Sequence, residues 1–178
     1  MNSRRQFTRN LSFSALAITA AAPTQAQTSA VFQHGVASGD PLLNRVIIWT
    51  RVSTIGGDDV IPVDWFISDE PAMSRILQRG TTSTNAGFDY TVKVDVTRLD
   101  PNTTYYYRFA VRGTLSPIGR TKTLPVGSID RLRFAVASCS NHPYGFFNAY
   151  RAIARRADLD VVLHLGDYIY EYANGQYG

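Results

Sequence analysis

An all-β sandwich followed by the first βαβ unit of an α/β domain is the fold this sequence predicts. Three observations predict it. Residues 31–124 break into short runs rich in β-branched and aromatic residues, separated by turn signals. Within them, "LDPNTTY" sets Leu99, Pro101, Thr103 and Tyr105 at alternating positions. From Arg131 onward an apolar strand, a helix-period segment and a second apolar strand follow one another.

The chain starts "MNSRRQFTRNLSFSALAITAAAPTQAQ", with a basic head, an apolar stretch from Leu11 to Ala22 and small residues around Ala26. This is the layout of an export signal over residues 1–27, and the apolar stretch is too short to span a bilayer comfortably. The paired Arg4 and Arg5 in "SRRQF" predict the twin-arginine type. The expectations are engagement of the twin-arginine export machinery, a periplasmic or secreted location, and no stable membrane anchor once the signal is cleaved near Ala26. Without those 27 residues, 15 basic face 14 acidic residues, so the formal +4 of the whole chain is mostly the signal. Nucleic-acid binding gains no support, because a domain that neutralises phosphates carries a basic patch.

"RVIIWTRV" (Arg45 to Val52), "VDWFISD" (Val63 to Asp69), "YTVKVDV" (Tyr90 to Val96) and "YYYRFAV" (Tyr105 to Val111) are the predicted strands, with turns at "SGDP" and "LDPNT". "EPAMSRILQRG" is expected to hold a brief helix ending at Gly80. "LDPNTTY" resembles the tyrosine corner of fibronectin type III domains, in which the phenol bonds back to the connecting backbone. Residues 31–124 therefore read as a fibronectin III/Ig-like sandwich, with a linker over Thr121 to Arg131.

In the segment 131–178, "LRFAVAS" (Leu132 to Ser138) and "LDVVLHLGD" are strands, the second a continuous apolar run of the kind buried on both faces. Between them "GFFNAYRAIARRA" places Phe146, Phe147, Tyr150, Ile153, Ala154 and Ala157 on one helical face. Strand, helix and strand in this order make a parallel βαβ unit.

Ligands of open α/β sheets sit beyond the carboxyl ends of the strands. There the first strand delivers Cys139 and the second Gly166-Asp167, with Tyr170 three residues on. If the two strands are neighbours these ends lie roughly 5 Å apart, or about twice that with one strand between them. Cys139 is the single cysteine of the chain, so an intramolecular disulfide is impossible and the thiol needs another explanation. A thiolate, a phenolate and a carboxylate favour a highly charged transition metal, and a carboxylate can bridge two metals, as in phosphate-ester hydrolysis. The bland alternatives are a small buried cysteine, a turn-capping aspartate and packing tyrosines; their coincidence at two strand ends favours the metal. His164, inside the apolar run, reads as a satisfied core histidine or one supporting the ligands from behind. His34 is expected to pack the start of the sandwich.

"FQHGVASGDP", "VIIWTRV", "FAVASCSN", "FFNAYRAIA" and "LDVVLHLGDYIYEY" together resemble the PhoD-type alkaline phosphatases, calcineurin-like metallophosphoesterases. The resemblance implies residues 31–124 as the N-terminal β domain of that family and 131–178 as the start of its catalytic domain. It implies ferric iron and calcium (Fe3+ and Ca2+) as cofactors, with Cys139 and Tyr170 as iron ligands and Asp167 bridging iron and calcium. The implied reaction is hydrolysis of phosphate monoesters, with diesters and phospholipid headgroups open, by a metal-activated hydroxide. Further Asn, Asp and His ligands of that family lie downstream, so the 178 residues are expected to be an N-terminal, inactive part. A purple acid phosphatase is the nearest rival, since "GDYIY" fits its pattern too; it is distinguished by Cys139, where that family has an aspartate. An exported sandwich that only binds is the reading from another class.

Overall fold

The computed structural model describes residues 31–53, 60–173 and 175–176; the expected signal lies outside them. Ten strands are found among the described residues. Strands β1 (Val36–Gly39), β2 (Val46–Arg51) and β5 (Thr91–Val96) form one antiparallel sheet in the order β1-β2-β5. The facing sheet runs β4 (Gln78–Thr84), β3 (Ile61–Ser68), β6 (Thr104–Val111). Its far edge is shared by β7 (Thr114–Leu115) and β8 (Gly119–Lys122), both paired to β6. This is a fibronectin III-like sandwich.

Period-two alternation supplies its core. Val46 and Ile48 from β2 face Val63 and Ile67 from β3 and Tyr105, Tyr107 and Phe109 from β6 within one cluster, each 5% exposed or less. Complete burial of such side chains contributes about 2 kcal/mol apiece. The buried Thr50 hydroxyl donates to the Gly35 carbonyl at 2.8 Å. Burial pushes the Tyr107 phenol up to about 12. Two rings lie over glycines in register with them. A Cβ at Gly80 would sit 2.7 Å from the ring of Trp65, and one at Gly119 2.3 Å from that of Tyr107.

The tyrosine corner is present. The Asp100 N–H donates to the Tyr105 phenol oxygen at 2.9 Å, and Leu99 is buried beside it. The Thr123 hydroxyl donates to the Asp100 carbonyl at 2.6 Å and accepts from the Thr103 N–H at 3.0 Å. The corner is thus fastened from both sides.

Three local expectations are corrected. No helix forms in "EPAMSRILQRG": Met73 is buried with φ 53, outside helical geometry, and the Leu77 N–H returns to the Ile67 carbonyl at 2.8 Å. From Gln78 the chain is strand β4 instead. The turn expected at "SGDP" lies later, because Ser38 and Gly39 belong to β1 and the connection to β2 runs over residues 40–45, opening at Asp40 with a φ of 48°. Thr121 and Lys122 belong to β8, so the linker starts later than expected.

The βαβ unit consists of β9 (Phe134–Ala137), α1 (His142–Gly145), α2 (Asn148–Ala154) and β10 (Val161–His164). Strands β9 and β10 are adjacent and parallel, with Phe134 opposite Val161 and Ala137 opposite His164. The helix expected over 145–157 is shortened to α2, because Phe146 and Phe147 take φ of 51° and 55°, which separates it from the short α1 before them. The unit touches the sandwich through β8. The Arg120 guanidinium donates to the carbonyls of Ala157 (2.6 Å) and Leu159 (3.3 Å), and Lys122 Nζ lies 3.1 Å from Asp160. The second Asp160 oxygen accepts the Arg133 N–H at 3.0 Å, just before β9. No helix among the described residues is long and apolar enough to cross a membrane.

Candidate metal centre

Main-chain bonds carry the parallel pairing beyond the formal strand ends. The Leu165 N–H donates to the Ala137 carbonyl (2.9 Å), Cys139 N–H to Gly166 (3.2 Å) and Ser140 N–H to Asp167 (3.1 Å). These bonds hold an unusual backbone. Cys139 (φ 54) and Asp167 (φ 52) both sit in the left-handed region, and Gly166 between the strand and Asp167 has φ 107. Such conformations cost a non-glycine residue about 1–3 kcal/mol and persist where neighbours enforce them. Only glycine takes the φ of Gly166 without strain.

That backbone brings the three expected side chains together. The Cys139 Sγ lies 3.6 Å from Asp167 Oδ2, and the Tyr170 hydroxyl donates to the same oxygen at 3.3 Å. All three are at least partly open to solvent. The Cys139 thiol first, then loss of solvent and the Asp167 charge, push the Tyr170 phenol up to about 12. Two acidic neighbours resist a third negative charge; a cation among the three would reverse that. Tyr170 stacks on Tyr172, their ring centres 5.6 Å apart. Among the described residues no three His, Cys, Asp or Glu side chains gather at one point. The third donor here is a tyrosine.

Of the two places expected for His164, the core one does not hold. It is exposed, yet both its ring nitrogens are engaged: Nε2 lies 2.6 Å from the Tyr150 hydroxyl and Nδ1 accepts the Gly166 N–H at 3.2 Å. His34 is exposed and contacts Arg51 through Nε2 at 2.8 Å. Tyr150 was legible only as one member of an apolar helix face. The sole hydroxyl on that face was the signal that it does more than pack, and it bonds Ser140 as well as His164.

Two family models match this chain. "PhoD-like phosphatase, N-terminal domain" matches residues 17–125, and "PhoD-like phosphatase" matches residues 134–178. The chain belongs to the PhoD-like phosphatase family. Alkaline phosphatase D of Bacillus subtilis (strain 168) is 40% identical over 154 residues, which cover 82% of this chain and 26% of that protein. A solved structure of PhoD superposes with a TM-score of 0.76 at 39% identity, covering 85% of this chain and 30% of that one. The chain therefore spans between a quarter and a third of the PhoD-like relatives it matches. Residues 126–133, between the two matched segments, lie between the sandwich and the βαβ unit, and the PhoD-like phosphatase match includes Cys139, Asp167 and Tyr170.

Proposed function

We propose that this chain contributes to an exported, metal-dependent alkaline phosphatase acting on phosphate monoesters, with diesters as further substrates. The observation that carries the reading is the convergence of Cys139 Sγ and the Tyr170 hydroxyl on one oxygen of Asp167, at the ends of adjacent parallel strands. The donor set fits ferric iron, since thiolate, phenolate and carboxylate together suit a highly charged cation; Cys139, Tyr170 and Asp167 would hold it, with calcium as the accompanying cation that the family resemblance implies. When bound, such cations acidify water and offset charge on phosphoryl oxygens. The chain's own residues fix where that happens. The Cys139–Gly166 and Ser140–Asp167 main-chain bonds set the spacing of the two strand ends, and the left-handed backbone aims both side chains at one point.

Three donors leave most of a metal's coordination to water, while catalysis requires charge held in place beforehand. The 178 residues alone are accordingly expected to be inactive, and the longest natural form active. That form, loaded with iron and calcium, should turn over a chromogenic phosphomonoester and show a visible tyrosinate-to-iron band. Tyr170→Phe should abolish the band, and Asp167→Asn should lower turnover by about a hundredfold or more. A colourless, iron-free and fully active enzyme would refute the ligand assignment. Export is tested separately by replacing Arg4 and Arg5 with lysines and fractionating cells, and unchanged export would remove the twin-arginine route.

A further inference from the structure

A hydrogen-bonded file of side chains runs beside the three donors without including any of them. It starts at a group whose role is fixed, since the Gly166 backbone N–H can only donate. His164 Nδ1, 3.2 Å away, therefore accepts, and the ring proton stands on Nε2. Nε2–H then donates to the Tyr150 oxygen at 2.6 Å, which leaves the phenol's own proton for Ser140 Oγ. Each direction follows from the first.

We infer that Tyr150 and His164 are positioning residues that hold the Cys139 backbone in place through Ser140; the inference rests on the reading of Cys139 as a ligand. Helix α2 carries Tyr150 and is tied by it to both strand ends, to β10 through His164 and to the loop after β9 through Ser140. Ser140 directly follows Cys139, whose left-handed conformation is strained and relaxes toward the extended region unless restrained. On one side of the loop the restraint is the Ser140 N–H bond to Asp167, and on the other it is the hydroxyl file. Ring contacts keep Tyr150 in place: Phe147 lies at 5.3 Å and His164 at 5.8 Å between centres. The side chains of Cys139 and Ser140 thus divide the work, the first facing Asp167 and the second anchoring the turn.

The test compares the longest natural form with its Tyr150→Phe, Ser140→Ala and His164→Asn variants, first stripped of metal. Amide hydrogen exchange over residues 138–141 should quicken about tenfold in all three, the loss of one net hydrogen bond, while β6 is unchanged. Nitrogen NMR should place the His164 proton on Nε2. Unaltered exchange in Ser140→Ala, whose small truncation preserves packing, or a proton on Nδ1, would overturn the inference. Reloaded with iron, each variant should bind it several-fold more weakly and show a displaced visible band. A wild type without the band sinks the metal reading alone, because the exchange and NMR results still decide the role of the file.

Discussion

Phe109 and Val136 are both apolar residues in the middle of strands, yet Phe109 is 0% exposed and Val136 59%. The contrast extends across the two regions. Within the sandwich, side chains of two sheets close over one another. In the βαβ unit, Phe134, Val162 and Leu165 stand 48%, 54% and 72% exposed, and α2 buries no residue. Side-chain packing therefore specifies the first region, whereas main-chain pairing, the bonds around the site and the contacts to β8 specify the second.

The hardest test of that contrast is limited proteolysis of the 178-residue chain. Cleavage is expected throughout the βαβ unit and back toward Pro125, leaving the sandwich intact, because domains of about 100 residues with a closed core fold alone. Equal resistance of both regions would break the comparison. Next in size, Phe109→Ala should cost the sandwich about 3–5 kcal/mol in chemical denaturation, whereas Val136→Ala should cost under about 1 kcal/mol. Tyr105→Phe sharpens the picture of the corner. It strips the acceptor from the Asp100 N–H and should cost about 1–3 kcal/mol without altering the core's shape.

The smallest effect is expected at the junction. The Arg133 N–H first, then Lys122, hold the Asp160 carboxyl below its usual range. A lowered value in the folded state means the contribution is complete above the ordinary carboxylate value of about 4 and fades as the pH falls through the lowered one. The Lys122–Asp160 pair, partly exposed, should contribute under about 1 kcal/mol. An acid titration of the Arg133 amide resonance should show a step below about pH 4 that Asp160→Asn removes. A step near neutrality would assign the junction to another group.

The sequence made most of the sandwich legible, because alternation is strongest where both sheets contribute core, as in "RVIIWTRV" and "YYYRFAV". It failed at "QRGTTST", where β4 shows neither apolar alternation nor bulk; its glycine is covered by Trp65 from the neighbouring strand, which no local pattern records. It failed again at Phe146-Phe147, where two left-handed residues interrupt a run whose spacing is helical throughout. The three donors were legible because strand ends place chemistry predictably. The file through Tyr150 was not, since a tyrosine on an apolar helix face reads as packing until its hydroxyl partners are known.

The two ring-on-glycine pairs bear on how this domain can change over generations. Any side chain at position 119 collides with Tyr107, and any at position 80 with Trp65, so neither glycine can drift while its ring remains. Shrinking the ring first opens a cavity in or beside the core, which is also costly. Each pair is therefore a lock whose halves, 107 with 119 and 65 with 80, must be replaced together, and single-step paths through either half lead downhill in fitness.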